Sequence, residues 1–195
     1  MQLTRNKGLI AVIASMVIVN LVYGLTLPLL SLVLDAQGIS KTIIGLSIVA
    51  QASAGVLIAP FASRLIVRIG AARIMQLATV VAAITLVVLG IWQNVYAWFP
   101  LRFLLGAAAA VLWSASETVI NELAEEDWRG RIIGVYGSAG AAGFALGPLV
   151  LLATGTAGLL PFVVTAGLVM LASLPLFWLH DQADYDAGRQ ESGLL

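Results

Sequence analysis

Two ionisable residues lie inside an otherwise apolar stretch, Arg102 in RFLLGAAAA and Glu117 in WSASETVINELAEED. Away from water an arginine keeps its charge and holds a nearby acid ionised, while a carboxylate placed there is costly and can exchange protons. Arg102 also falls near the start of its stretch, where a long side chain can snorkel outward, and Glu117 falls near the other end. Both readings of each residue stand. Polar groups at Asn20, Tyr23, Gln51, Trp113, Ser114 and Tyr136 are spaced singly along apolar runs. They can anchor a bound molecule, or they can tie helix to helix at on the order of 0.6 kcal/mol per hydrogen bond.

Catalytic chemistry finds no support. The chain has no Cys, a single His (His180, which reads as an interfacial side chain) and no carboxylate pair at catalytic spacing. No enzyme, metal site or cofactor is therefore expected. The glycines between Gly134 and Gly147 lack the strand and the following lysine of a phosphate loop. No basic aromatic groove for nucleic acid is present.

The elements that must position these residues are membrane helices. Of 195 residues 61% are hydrophobic and 10% charged, with a mean hydropathy of +1.01. A soluble domain could not cover itself with so few charges, and several runs exceed the roughly 18 apolar residues of a membrane span. The prediction is an all-α integral membrane protein with spans at about residues 9–34, 43–65, 74–95, 99–123, 132–153 and 159–179, forming one bundle over 1–180. Residues 181–195 read as a polar tail or the start of a linker. The first run is too long for a signal peptide and reads as a retained span. Asn20 and Tyr23 share a helix face. Small residues at Ala50, Ala52, Ser53, Ala54 and Gly55 permit close helix approach. The third span is nearly featureless and suits a lipid-facing helix. Arg5, Lys7, Arg64, Arg68, Arg73, Arg129, Arg131 and Arg189 gather on the side of the termini and Lys41 on the other. Both termini are thus expected in the cytoplasm.

Three stretches resemble signatures of the major facilitator superfamily (MFS). SRLIVRIGAAR, at 63–73, is similar to the loop pattern G-x-x-x-D-R-x-G-x-R-R, with Arg68, Gly70 and Arg73 matching, Ser63 at the first Gly, Val67 at the Asp and Ala72 at a basic position. RFLLGAAAA is similar to R-x-x-Q-G-x-G-x-A, with Arg102, Gly106 and Ala110 matching and Leu105 at the Gln. Gly134, Gly143, Gly147 and Pro148 match G-x8-G-x3-G-P-x2-G-G, with Leu151 and Leu152 at the last two glycines.

The resemblance implies a six-helix half-bundle of a transporter that normally has two, with substrate held between them. It implies proton coupling through Arg102 and Glu117, and a cavity lined by Asn20, Tyr23, Gln51, Trp113 and Tyr136. Conformational motifs would lie at Arg68, Gly70 and Arg73 and at Gly134, Gly143, Gly147 and Pro148, the last group typical of antiporters and exporters in the family, and the block NELAEEDWRGRIIGVYGSAGAAGFALGPL resembles a bacterial branch of its exporters. The latch that the missing Asp serves is weakened or moved; Glu117 or Glu122 could pair with Arg68 or Arg73 instead, or the arginines merely snorkel. The implied partners are lipid, protons, a small apolar or amphipathic solute and a second six-helix bundle, either a homodimer mate or a C-terminal half. The implied location is a bacterial inner membrane. The departures at 67, 105, 151 and 152 favour an alternative, a scaffold or assembly subunit that does not transport.

Overall fold

The computed structural model describes residues 2–177, with side chains from residue 6. Arg5, the expected end of the last span at 179, His180 and the polar segment at 181–195 lie outside the described side chains or residues. The described chain forms α1 (Gln2–Ala36), α2 (Lys41–Ile69), α3 (Ala71–Ile91), α4 (Val95–Leu123), a 3-10 turn (Glu126–Trp128), α5 (Arg129–Thr154) and α6 (Leu160–Leu171). Helices α1 to α5 are each long and apolar enough to cross a bilayer. Even α3, with 21 residues, reaches about 31 Å at the helical rise, the thickness of a hydrocarbon core.

Local chemistry sets the helix ends. Ser40 Oγ accepts the Ile43 N–H at the start of α2, and the Asn94 side chain accepts from Tyr96 and Ala97 at the start of α4. That second cap also explains why α3 stops at Ile91 rather than continuing to 95. Gly70 turns α2 straight into α3 at φ 90°, a conformation that a side chain would strain. Glu126 and Asp127 precede α5 and offset the two arginines, Arg129 and Arg131, near its positive end.

The last helix departs from expectation. After Leu171 the chain continues with i→i+3 bonds, Ser173 N–H to Met170 O, Leu174 to Leu171 and Leu176 to Ser173. Pro175 has no N–H for the Leu171 carbonyl and disfavours helical geometry at Leu174. Pro28, Pro60, Pro100 and Pro148, by contrast, sit inside their helices.

Contacts fix the topology. Gly90 at the end of α3 and Trp98 at the start of α4 both pack on Phe162 at the start of α6. The far end of α6 meets α1, where Ser15 Oγ donates to the Ala172 carbonyl at 2.7 Å. The starts of α1, α3 and α5 therefore share one end of the bundle with the ends of α2 and α4. This basic end carries Arg64, Arg68, Arg73, Arg129 and Arg131.

Helix α1 lies along α5 and α4 along α2, while α3 packs on α4 and α6. Laid over each other, α1–α3 and α4–α6 make equivalent contacts. Gly24 of α1 sits on the Phe144 carbonyl of α5, and Gly106 of α4 sits on the Gln51 carbonyl of α2. Half or more of the most apolar windows of α1, α3 and α4 are buried, against 22% for α2 and for α5. The expectation that α3 faces lipid describes one side only. Leu77, Val80 and Ile84 are exposed, whereas Met75, Ala78, Ala82, Leu86 and Leu89 are buried in the core.

Candidate functional site

The candidate polar residues divide by depth and by helix. Arg102 lies on the same face of α4 as Gly106, one turn nearer its start, and so on the face turned to α2. Its side chain is 0% exposed, and Nε, Nη1 and Nη2 have no hydrogen-bond partner among the described residues. Of its two sequence readings, burial is the one observed. An enclosed guanidinium without a counter-charge carries a desolvation penalty of several kcal/mol.

Gln51 is 2% exposed. Its carboxamide lies beside the Tyr23 hydroxyl, yet neither of its polar atoms reaches hydrogen-bond geometry. Two buried polar side chains with unused capacity thus occur on the paired helices α2 and α4. Native interiors rarely leave such groups unmatched.

A second group gathers where α1, α4 and α5 converge. The Tyr23 ring meets Trp113 edge-on at 4.9 Å between centroids and tilts on Phe144 at 6.3 Å. Ser116 Oγ donates to the Trp113 carbonyl at 2.8 Å and lies 2.9 Å from the Tyr136 hydroxyl. With its single proton so used, Ser116 accepts and Tyr136 donates. Asn20 sends its amide to the Met16 carbonyl at 2.8 Å and rests against Gly140 of α5. Tyr23, Trp113 and Tyr136 are all only half-buried, so this aromatic surface remains partly open. Apolar walls with a few hydroxyls and amides suit a mostly apolar solute with few polar anchors.

The structure brings Asn20, Tyr23, Gln51, Trp113 and Tyr136 into this neighbourhood, but it separates the two ionisable candidates. Glu117 is exposed, and from Arg102 it is about 22 Å along one helix at 1.5 Å per residue. It comes within electrostatic reach of Tyr136 instead. No direct pairing of Arg102 with Glu117 is available within this bundle. Phe144 was missed in the sequence, although its spacing from Tyr136 and Gly140 (i, i+4, i+8) places all three on one stripe of α5.

The motif residues also divide. Gly143 packs against the Val17 carbonyl and Gly147 against the α1 backbone at Leu21 and Leu25, so both let α5 touch α1. Gly134 faces open space, and Pro148 is exposed. Arg68, Gly70 and Arg73 are exposed at the basic end, beside Val67 at 86% exposure. The pairing of Arg68 or Arg73 with Glu117 or Glu122 does not form. Among the described residues the one ion pair lies at the opposite end, between Lys41 and Asp35. Glu117 instead falls beside α5.

Residues 12–193 match the Major Facilitator Superfamily. The chain is 27% identical over 159 residues to YfkF of Bacillus subtilis (strain 168), an uncharacterized MFS-type transporter, covering 81% of this chain and 40% of that protein. It is 32% identical over 117 residues to the uncharacterized MFS-type transporter Ent638_1421 of Enterobacter sp. (strain 638), covering 59% of this chain and 30% of the relative. The matches thus span less than half the length of these curated relatives.

Proposed function

The chain belongs to the Major Facilitator Superfamily, and on that premise we propose that it serves as one six-helix half of a secondary transporter. The proposed cargo is a small apolar or amphipathic solute, exported in exchange for protons across a bacterial inner membrane, with the basic end in the cytoplasm. The observation that carries this reading is the enclosed guanidinium of Arg102, which no group among the described residues neutralises. A charge kept at that cost acts by exchange with groups that come and go, such as a substrate, a proton-carrying acid or water. The half-open aromatic surface of Tyr23, Trp113 and Tyr136 supplies the apolar wall. The exposed faces of α2 and α5, with Val56, Leu57, Val135 and Leu149 uncovered, supply a surface for the second bundle, whether a C-terminal half or another copy.

The test is flux. With the protein reconstituted in liposomes under an imposed pH gradient, a fluorescent amphipathic solute should move with the gradient. Arg102→Ala should lower that flux at least about tenfold while helix content is unchanged. Equal flux in both proteins removes the coupling role.

One observation favours a second reading, a scaffold that does not transport. Val67 stands exposed where the family carries an acid, and Arg68 and Arg73 have no ion-pair partner in the described bundle. In a scaffold, pH-driven flux is absent from the wild type itself.

A further inference from the structure

Among the described residues, three ionised side chains occupy the half of the bundle away from the basic end: Asp35, Lys41 and Arg102. Asp35 and Lys41 pair with each other at the surface. Arg102 is left over, so this half carries one positive charge that nothing balances. The other described acids lie between Glu117 and Asp127, at the opposite end of the bundle.

The surroundings of Arg102 offer its five N–H donors no free acceptor. Helices α2 and α4 run the same way, since both end at the basic end. Gly106 packs on the Gln51 carbonyl, and one turn back on each helix this register sets Arg102 level with Ser47. Ser47 is fully buried and donates its hydroxyl to the Ile44 carbonyl at 2.6 Å. Trp98, one turn nearer the start of α4 on the same stripe, is fully buried as well, and its indole N–H goes to the Trp92 carbonyl at 3.0 Å. The Gln51 carboxamide lies beside Tyr23. Nε, Nη1 and Nη2 of Arg102 therefore stay unmatched at 0% exposure. Arg102 begins about 10 Å from the start of α4, and helical side chains lean toward the start of their helix. The guanidinium thus lies a short way from the water beyond that end.

Water alone would solvate the guanidinium but leave a net charge in a medium of low dielectric. An anion converts that charge into an ion pair, whose attraction is strong away from water. Full enclosure leaves no opening for a side chain of a second bundle or for an organic acid, so the partner has to be small. We propose that Arg102 binds one small monovalent inorganic anion, of chloride's size, entering from the end that carries Asp35 and Lys41. The anion site shares its guanidinium with the transport reading but needs no transport.

The test uses the full chain in detergent micelles, with chloride replacing gluconate at constant ionic strength. The unfolding midpoint of the wild type should rise and saturate, by about 4 °C at ten times the half-saturating concentration. Bromide should act like chloride, and sulfate like gluconate. The ³⁵Cl resonance should broaden in the presence of the wild type and sharpen again when bromide is added. Arg102→Met should lose both responses; in gluconate it should be the more stable protein, and chloride should narrow the gap. Arg102→Lys, with an ammonium in place of the fork, should keep the response at roughly tenfold higher chloride. Arg131→Met, at an exposed arginine of the basic end, should respond as the wild type does. The proposal is overturned if chloride acts no differently from gluconate on the wild type, which would leave water as the only solvent of the charge, or if Arg102→Met keeps the response. Neither readout is flux, so a chain that fails to transport can still show the site, and loss of the site leaves the flux test standing.

Discussion

Gly106 of α4 packs directly on the main-chain carbonyl of Gln51 in α2, with no room between them for a side chain. This contact sets how closely the two helices approach, and so how tightly Arg102, one turn away, is enclosed. Gly106→Ala should therefore cost about 1–3 kcal/mol of stability through overpacking. Gly55→Ala on α2, where an added methyl meets open space, serves as the control and should be near neutral. Unfolding of both variants in mixed detergent micelles checks this, and equal stabilities would refute the packing argument.

Arg102 should show opposite effects on stability and on function. Arg102→Met replaces an enclosed, unpaired charge with an apolar chain of similar length, so unfolding should become harder by about 1–3 kcal/mol. Proton-linked flux, where the wild type has it, should fall at the same time. A variant less stable than the wild type would mean that the guanidinium finds a partner in the assembled protein.

Tyr23 and Trp113 should be energetically coupled. Their edge-on contact at 4.9 Å predicts an interaction energy of about 0.5–1.5 kcal/mol in a double-mutant cycle of Tyr23→Leu and Trp113→Leu. Additive single-mutant effects would show that the rings touch without mutual stabilisation. If the same surface holds solute, both single variants should also raise the concentration for half-maximal flux more than they lower its maximum.

Tyr136→Phe removes the donor to Ser116 but leaves the bond from Ser116 to the Trp113 carbonyl intact. The expected loss is small, about 0.6 kcal/mol, the average of such bonds between membrane helices. A loss beyond about 2 kcal/mol would show that the hydroxyl has a larger role in joining α4 to α5.

Hydropathy and composition determined the class of this protein. Apolar runs of that length have only one way to satisfy their backbone in lipid, so helices in a membrane followed from the sequence. Gly70 was legible as well, since a turn residue acts over one or two positions, whereas the cap at Ser40 was not singled out in the sequence. The candidates on α1, α4 and α5 could be named because polar side chains in apolar runs are rare.

What one helix does to another was decided only in three dimensions. The sequence left Arg102 between burial and snorkelling, and packing of α4 on α2 settled it. Gly134, Gly143 and Gly147 look alike in the motif, yet two of them meet the α1 backbone and one meets open space. Such outcomes depend on neighbours far away in the chain, which no local pattern encodes.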